Sequence, residues 1–118
     1  MDEATFKRRT KQFALRVIEL VDALPKKSTA NVIGRQLLRS ATSVGANYRA
    51  ACRGRSTADV ISKLAIVEEE ADESMYWLEL LVEANIASAG AVREISKEAN
   101  ELVAMTVASI KTLRSKSR

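Results

Sequence analysis

The chain has no histidine, one cysteine and one proline, and aromatic residues make up only 4% of its 118 positions. Without histidine it lacks the commonest general base and the commonest transition-metal ligand of proteins. The single cysteine, Cys52, cannot form an intramolecular disulfide, and the sequence offers no catalytic base to activate it. These absences exclude every histidine-based catalytic dyad or triad. We therefore predict that the protein is not an enzyme.

One acidic cluster in the middle of the chain has a composition that suggests a metal site. It comprises Glu68, Glu69, Glu70, Asp72 and Glu73. Di-metal sites in helical bundles usually combine inward-facing carboxylates with a Glu-x-x-His motif on two helices. The chain has no such motif, and these acids spread around a helix instead of sharing one face. We therefore predict neither a metal nor a cofactor, and we expect some of these acids to pair with arginines.

Long apolar runs are missing as well. A membrane-spanning helix needs about 20 predominantly apolar residues, and no segment of this chain approaches that length. The N-terminal segment MDEATFKRRTKQ is charged and lacks the apolar stretch of a secretory signal. We expect no membrane segment and a cytoplasmic location.

The chain does contain the hydrophobic periodicity that is typical of helices. Apolar residues recur at steps of three and four, and one proline with four glycines leaves few breaks. The pattern predicts helices at about 3–23, 30–53, 57–84 and 89–114. Short connections make neighbouring helices antiparallel. We therefore predict an all-α fold, an antiparallel up-down-up-down four-helix bundle that forms a single domain over residues 1–118.

The predicted helix ends carry residues with capping or helix-breaking properties. Pro25 stops the first helix, because the residue before a proline avoids the helical region. Gly54 and Asn85 suit C-terminal caps, where a left-handed backbone conformation is common. Ser56 and Ser88 can accept hydrogen bonds from the free backbone amides at the start of the third and fourth helices.

The net charge of +4 conceals a segregation of charge along the chain. Residues 1–55 carry 12 Lys/Arg and 4 Asp/Glu, whereas residues 56–86 carry one Lys and eight acids. Residues 87–118 carry six bases and three acids. An acidic middle between two basic flanks indicates an affinity for acidic partners.

The second predicted helix carries a one-sided basic stripe. Four of its arginines fall within an arc of about 80° at 100° per residue. With the bases that extend its ends, the stripe comprises Arg35, Arg39, Arg49, Arg53, Arg55, Lys26 and Lys27. Because guanidinium groups match phosphate oxygens, we predict contact with an RNA or DNA backbone. The alternatives are a solvated face, or arginines paired with acids of another subunit. No aromatic residues interleave the stripe, so base-specific recognition is not expected.

The second half of the third predicted helix, residues 75–82, is apolar nearly all round. The positions predicted to face the bundle core are Val60, Leu64, Val67, Ala71, Met75, Leu78 and Val82. Further apolar surface beside this stripe predicts an interface between copies of the chain. Its expected residues are Ile66, Tyr76, Trp77, Leu80, Leu81 and Ala84. The alternative is that this helix is the most buried one of a monomer.

Small residues form a strip along the second predicted helix. They are Gly34, Ala41, Gly45 and Cys52. Small side chains let a neighbouring backbone approach closely, so we interpret this strip as a packing feature. Cys52 is accordingly predicted to be a small core residue.

Residues 39–48, RSATSVGANY, resemble the central motif of a bacterial protein family encoded in intervening sequences of 23S ribosomal RNA genes and known as four helix bundle proteins. Further matches extend the resemblance over nearly the whole chain. They are Phe13-Ala14, Leu24-Pro25, Gln36-Leu37, Gly54-Arg55-Ser56, Glu73, Trp77-Leu78-Glu79-Leu80 and residues 110–114. The family often has Ala-Glu-Gly after the motif, whereas this chain has Arg49-Ala50-Ala51, which adds a base to the stripe.

The resemblance implies an antiparallel bundle that assembles as a ring, a pentamer. The accessory variability proteins of diversity-generating retroelements are similar in fold, and they are basic pentamers that bind a reverse transcriptase and nucleic acid. The resemblance thus implies a homo-oligomer with a nucleic-acid or protein partner, such as a reverse transcriptase. The alternative is a purely structural self-assembling module, because most of the family has no assigned activity.

Overall fold

In a computed structural model of the protein, which describes residues 2–116, the chain folds into four helices. They are α1 Glu3–Asp22, α2 Ser28–Ala51, α3 Thr57–Glu83 and α4 Ala89–Lys116. No strand occurs in this part of the chain, so the predicted all-α class is confirmed, and every helix bound lies within two residues of its predicted position. The predicted domain of residues 1–118 also includes Met1, Ser117 and Arg118, which lie outside the described residues.

The helices form an up-down-up-down bundle with extents of 50 × 21 × 20 Å. Each helix packs against the next one in the chain, and α4 returns to pack against α1. The connections at 23–27, 52–56 and 84–88 are too short for crossovers, so successive helices run antiparallel. The starts of α1 and α3 therefore lie at the same end of the bundle as the ends of α2 and α4.

Three of the predicted caps are confirmed. Ser56 Oγ accepts a hydrogen bond from the backbone N–H of Asp59 at 3.1 Å, and Ser88 Oγ accepts one from Ala91 N–H at 3.1 Å. Asn85 has a φ of 60°, the left-handed conformation that ends α3. These caps supply partners for backbone groups that have none within their own helix.

The prediction that Gly54 is a left-handed cap is wrong. The helix α2 already ends at Ala51, and no described glycine has a positive φ. Gly54 is needed for space instead, because a Cβ at this position would lie 2.4 Å from Val60 Cγ2. The absence of a side chain lets the α2–α3 connection pass close to the first turn of α3.

The core is built mainly from aliphatic side chains, with Phe13, Leu37, Leu78 and Leu102 fully buried. On α3 the buried positions differ from the predicted stripe. They are Leu64, Val67, Ala71, Ser74, Leu78 and Leu81. Their steps alternate strictly between three and four, which is the 3.5-residue period of a coiled-coil seam.

Three predicted core positions of α3, Val60, Met75 and Val82, are only partly buried. The seam places Ser74 in the core, where its hydroxyl lies 3.0 Å from the Ser40 hydroxyl of α2 in hydrogen-bonding contact. Both serines are fully buried, and each also lies within hydrogen-bond distance of a carbonyl of its own helix. A polar pair thus occupies positions where the apolar pattern alone predicts none.

An ion pair connects α1 to α4, which have the least extensive contact among the pairs of helices that pack together. Arg9 donates to Glu98 through Nε at 2.9 Å and through Nη2 at 2.5 Å, and it also reaches Glu101 at 3.4 Å. The hydrogen bonds to Glu98 raise the pKa of Arg9. This geometry is bidentate, the stronger arrangement for an arginine and a carboxylate.

Candidate nucleic-acid interface

Basic residues gather at one end of the bundle. This basic end consists of residues 2–12, 45–66 and 105–116, the starts of α1 and α3 with the ends of α2 and α4. It contains eleven Lys/Arg and three Asp/Glu, a balance of +8. The topology therefore concentrates charge from three separate stretches of the sequence.

The rest of the described chain, residues 13–44 and 67–104, has the opposite balance. This acidic body contains seven Lys/Arg and twelve Asp/Glu, a balance of −5. The two regions lie along the long axis of the molecule, so positive and negative charge are separated over much of its 50 Å length. Such a separation gives the surface a field of opposite sign in its two parts.

The predicted basic stripe is split between these two regions. Arg49, Arg53 and Arg55 belong to the basic end, whereas Lys26 and Lys27 lie in the α1–α2 connection at the opposite end. The two groups are separated by α2, which has 24 residues and a length of about 36 Å. The seven predicted residues do not form one site.

Arg39, in the middle of α2, pairs with acids of its own chain. Its Nη1 lies 3.2 Å from Glu70 Oε2, and its Nη2 donates to Glu73, which also accepts the indole N–H of Trp77 at 3.0 Å. The hydrogen bond from Trp77, followed by the one from Arg39, lowers the pKa of Glu73. The expected pairing with acids thus occurs for Arg39 within one chain. Arg35 is exposed and has no ion pair within residues 2–116.

Two adjoining clefts lie at the basic end. The first, of about 400 Å³, lies between α1 and α2. Its lining combines three cationic side chains with small residues: Lys7, Lys11, Arg49, Thr10, Gly45 and Ala46. Thr10 is buried, whereas the cationic side chains are exposed, so the positive charge lies toward solvent around a small-residue floor.

The second cleft lies between α2, the α2–α3 connection and α3. It shares Ala46 and Arg49 with the first, and its further cations are Arg53, Arg55 and Lys63. Asp59 organises this cleft.

Asp59 is fixed by hydrogen bonds from both sides of the second cleft. Its carboxylate accepts the backbone N–H of Arg55 at 3.0 Å and the ammonium of Lys63 at 3.3 Å. The Arg55 amide, followed by Lys63, lowers the pKa of Asp59. The carboxylate therefore holds the connection in place and compensates part of the charge of Lys63.

Sequence reasoning missed Lys7, Lys11 and Lys63 as members of this surface. Lys7 and Lys11 are four residues apart on α1, a spacing that places them on one face. That signal was available, but their place beside Arg49 depends on the register between α1 and α2. Lys7 also pairs with Glu3 at 3.4 Å, so its charge is partly compensated.

The strip of small residues on α2 has two different roles. At Gly34 a Cβ would lie 3.2 Å and 3.3 Å from the side chains of Leu24 and Val21, so close packing favours glycine there. At Gly45 a Cβ would lie 3.4 Å from Thr10 Oγ1, an ordinary contact distance. Packing between α1 and α2 therefore does not require glycine at position 45, which lies in the first cleft.

Cys52 follows the end of α2 and is only partly buried, so its prediction as a core residue is wrong. It lies near Tyr48, whose ring stacks on Phe6 with centroids 4.0 Å apart. Burial is the main cause that raises the pKa of the Cys52 thiol, and of the Tyr48 hydroxyl. A thiol held in its neutral form is a weak nucleophile.

The residues predicted to join copies of the chain lie at different depths. Ile66 and Tyr76 are 39% and 54% exposed, and Ala84 is exposed. Trp77 and Leu80 are half-buried. The prediction is wrong for Leu81, which is 0% exposed because the coiled-coil seam turns it into the core.

The described residues contain no group of three acidic or cysteine side chains that could hold a metal ion. Glu70 and Glu73, members of the acidic cluster, are held by Arg39 instead. None of the helices in residues 2–116 is both long and apolar enough to cross a membrane.

Comparison with known proteins agrees with the architecture. A protein from the S23 ribosomal protein family of Bacteroides thetaiotaomicron VPI-5482, described as having unknown function, has a crystal structure that superposes with a TM-score of 0.87. It is 35% identical, and the match covers 94% of this chain and 99% of that one. No curated protein sequence matches this chain. The model of the family described as 23S rRNA-intervening sequence protein matches residues 3–108. The chain therefore belongs to the 23S rRNA-intervening sequence protein family.

Proposed function

We propose that this protein is a non-enzymatic, cytoplasmic bundle protein that binds the phosphate backbone of RNA or DNA through its basic end. The observation that carries the proposal is the group of cations around the two clefts that make no ion pair within residues 2–116. Within residues 2–116, Lys11, Arg49, Arg53 and Arg55 have no ion pair, in contrast to Arg9 and Arg39. Exposed cations without protein partners are available to phosphate oxygens.

Binding of this kind is driven by the release of counterions from the nucleic acid, so it weakens steeply as salt rises. Neither cleft has an aromatic side chain in its lining on which a base could stack. Recognition is therefore directed at the phosphates and is largely independent of sequence. In this role the protein would hold nucleic acid for a partner, such as a reverse transcriptase, without acting on it.

We further propose that the working unit is a homo-oligomer, a ring such as a pentamer, assembled through the exposed face of α3. Tyr76 and Ile66 support this proposal, because both are large apolar side chains exposed on one helix. Light scattering at micromolar concentration measures the mass directly, and a monomer would contradict the ring.

A second candidate function is a purely structural module that assembles without binding nucleic acid. The intramolecular pairing of Arg39 with Glu70 and Glu73 favours this candidate, since it provides one arginine of α2 with protein acids as partners. The two candidates differ in the state of Arg49 and Arg53, which the structural module would cover with acids of a neighbouring copy.

The deciding experiment compares two double variants with the same change of charge. Arg49→Glu with Arg53→Glu reverses the charge of two side chains at the basic end. Lys26→Glu with Lys27→Glu reverses the charge of two side chains at the opposite end. We expect the first variant to lose about 100-fold or more in affinity for a fluorescent oligonucleotide at low salt, because two phosphate contacts become repulsive. The control should retain most of the affinity.

Circular dichroism confirms that both variants keep their helices. Equal retention of affinity by both double variants would reject the nucleic-acid proposal. Loss of the oligomer in the Arg49→Glu, Arg53→Glu variant, with no binding by the wild type, would favour the structural module.

A further inference from the structure

We propose that the two clefts form one path for single-stranded RNA or DNA and that a duplex does not fit into it. We define this cleft path as the first cleft, the exposed surface of α2 at Ala46, and the second cleft. The inference rests on the proposed function and adds the form of nucleic acid that the site accepts. Its basis is that both clefts share Ala46 and Arg49, so a ligand can pass from one to the other without leaving a basic surface.

The cleft path changes direction where it crosses α2. One part lies between α1 and α2 and the other lies between α2 and α3. The axes of packed neighbouring helices are about 8–10 Å apart, so the groove on the surface between two of them is narrow. A duplex is stiff over about 150 base pairs and can touch only the edges of such a path. A single strand bends at every nucleotide and can follow it.

Where the cleft path crosses α2, the surface of the helix forms no barrier between the two clefts, because the residues there are small. Ala46 is exposed on α2 and borders both clefts, and Ala50 follows one turn later in the second cleft. A larger side chain at position 46 would separate the two clefts. The methyl group leaves them connected.

The described cations without an ion pair are distributed along the whole path. Lys11 lies in the first cleft, Arg49 lies at the junction, and Arg53 and Arg55 lie in the second cleft. Arg49 lies in the last turn of α2, and Arg53 follows the end of the helix at Ala51. A flexible strand can adjust its phosphates to these intervals, whereas a duplex presents them at a fixed spacing. The path therefore accommodates about four phosphates, one for each cation.

Gly45 gives the first cleft its depth. A glycine inside a helix costs about 1 kcal/mol relative to alanine, and packing against Thr10 leaves room for a Cβ at this position. Helix stability and packing thus both permit alanine, but a side chain there would occupy the floor of the cleft. Gly45 therefore leaves the floor of the first cleft open between α1 and α2.

The test uses Ala46→Leu, which blocks the junction and leaves every charge in place. The probes are a fluorescent oligouridylate of about 12 nucleotides and a duplex of the same length. We expect the wild type to bind the single strand more tightly than the duplex. Ala46→Leu should weaken single-strand binding about tenfold and leave duplex binding unchanged. Ala104→Leu, at an exposed alanine of α4 outside both clefts, is the matched control and should bind like the wild type.

The salt dependence provides a second measurement. With about four phosphates engaged, log K for the single strand should fall against log salt with a slope of about −2.8. A preference of the wild type for the duplex, or an equal loss of both ligands in Ala46→Leu, would overturn the cleft path while the proposed function stands. Failure of the wild type to bind either ligand would overturn both.

Discussion

Arg39 in the acidic body and Arg49 at the basic end lie on the same helix but differ in their partners. In the acidic body, Arg39 is held by Glu70 and Glu73 of its own chain. At the basic end, Arg49 in the last turn of α2 and Arg53 just after the helix have no ion pair within residues 2–116. The difference teaches that the surroundings supplied by neighbouring helices decide whether an arginine stabilises the fold or remains available to a ligand.

The distribution of charge along the sequence therefore differs from its distribution in the folded molecule. The first 55 residues carry an excess of eight positive charges, but they include Lys26 and Lys27, which lie far from the basic end. The antiparallel topology instead brings cations of α3 and α4 to the basic end. The excess at the basic end is again +8, from a different set of residues.

The largest expected effect is the loss of the oligomer in a variant of the exposed face of α3. Tyr76→Glu places a charge on the exposed apolar face of α3 in the acidic body. If that face joins copies of the chain, burying an unpaired charge there should dissociate the oligomer, because such a charge costs several kcal/mol. Light scattering should then give the mass of a monomer.

Val32→Glu is the matched control, since Val32 is 58% exposed on α2 and lies outside the proposed interface. We expect it to leave the mass unchanged. An unchanged mass for Tyr76→Glu, with an oligomeric wild type, would mean that another surface joins the copies.

A smaller effect tests the contrast between the two kinds of arginine. Arg39→Glu brings a third carboxylate beside Glu70 and Glu73, so we expect a loss of about 1 kcal/mol in the free energy of unfolding. Arg49→Glu removes no ion pair within the described chain and should change stability by less than about 0.5 kcal/mol. Urea unfolding followed by circular dichroism measures both values, and equal losses would contradict the distinction.

The smallest expected effect is a dependence of the free energy of unfolding on pH, caused by Glu73 in the acidic body. The pKa of Glu73 is lowered in the folded protein, first by the Trp77 indole and then by Arg39. The unfolded chain therefore binds its proton at higher pH, and this contribution to stability is present above the ordinary glutamate pKa of about 4.3. It is lost as the pH falls through the lowered value.

We expect Glu73→Gln to reduce the difference in unfolding free energy between pH 7 and pH 3. Glu19→Gln, at an exposed glutamate of α1 with no ion pair within residues 2–116, should preserve the difference. A Glu73→Gln variant with the pH dependence of the wild type would show that the network contributes nothing.

The fold could be predicted from the sequence because its signals are local. Few helix breakers, capping residues such as Ser56, Asn85 and Ser88, and short connections together define four antiparallel helices. The register between helices is not a local property. It decides which face of α3 is buried, and a helix period of 3.6 misplaced Leu81 by one position relative to the 3.5-residue seam.

The candidate site was predictable only in part for the same reason. Arg49, Arg53 and Arg55 were identified because they follow one another on and after α2. Lys7, Lys11 and Lys63 join them only through the pairing of α2 with α1 and α3. The contribution of Arg39 was misjudged, since the helical wheel of α2 does not show the acids that α3 brings beside it.

The hydroxyl contact between Ser40 and Ser74 has a consequence for the distant basic end. Sliding α3 along α2 by one turn would exchange this hydrogen bond for contacts with apolar side chains, at a cost of about 1 kcal/mol. The serines therefore favour one axial alignment of the two helices. The same alignment brings Lys63 of α3 into one cleft with Arg49 of α2. Two uncharged hydroxyl groups in the middle of the bundle thus influence which cations lie together at its end.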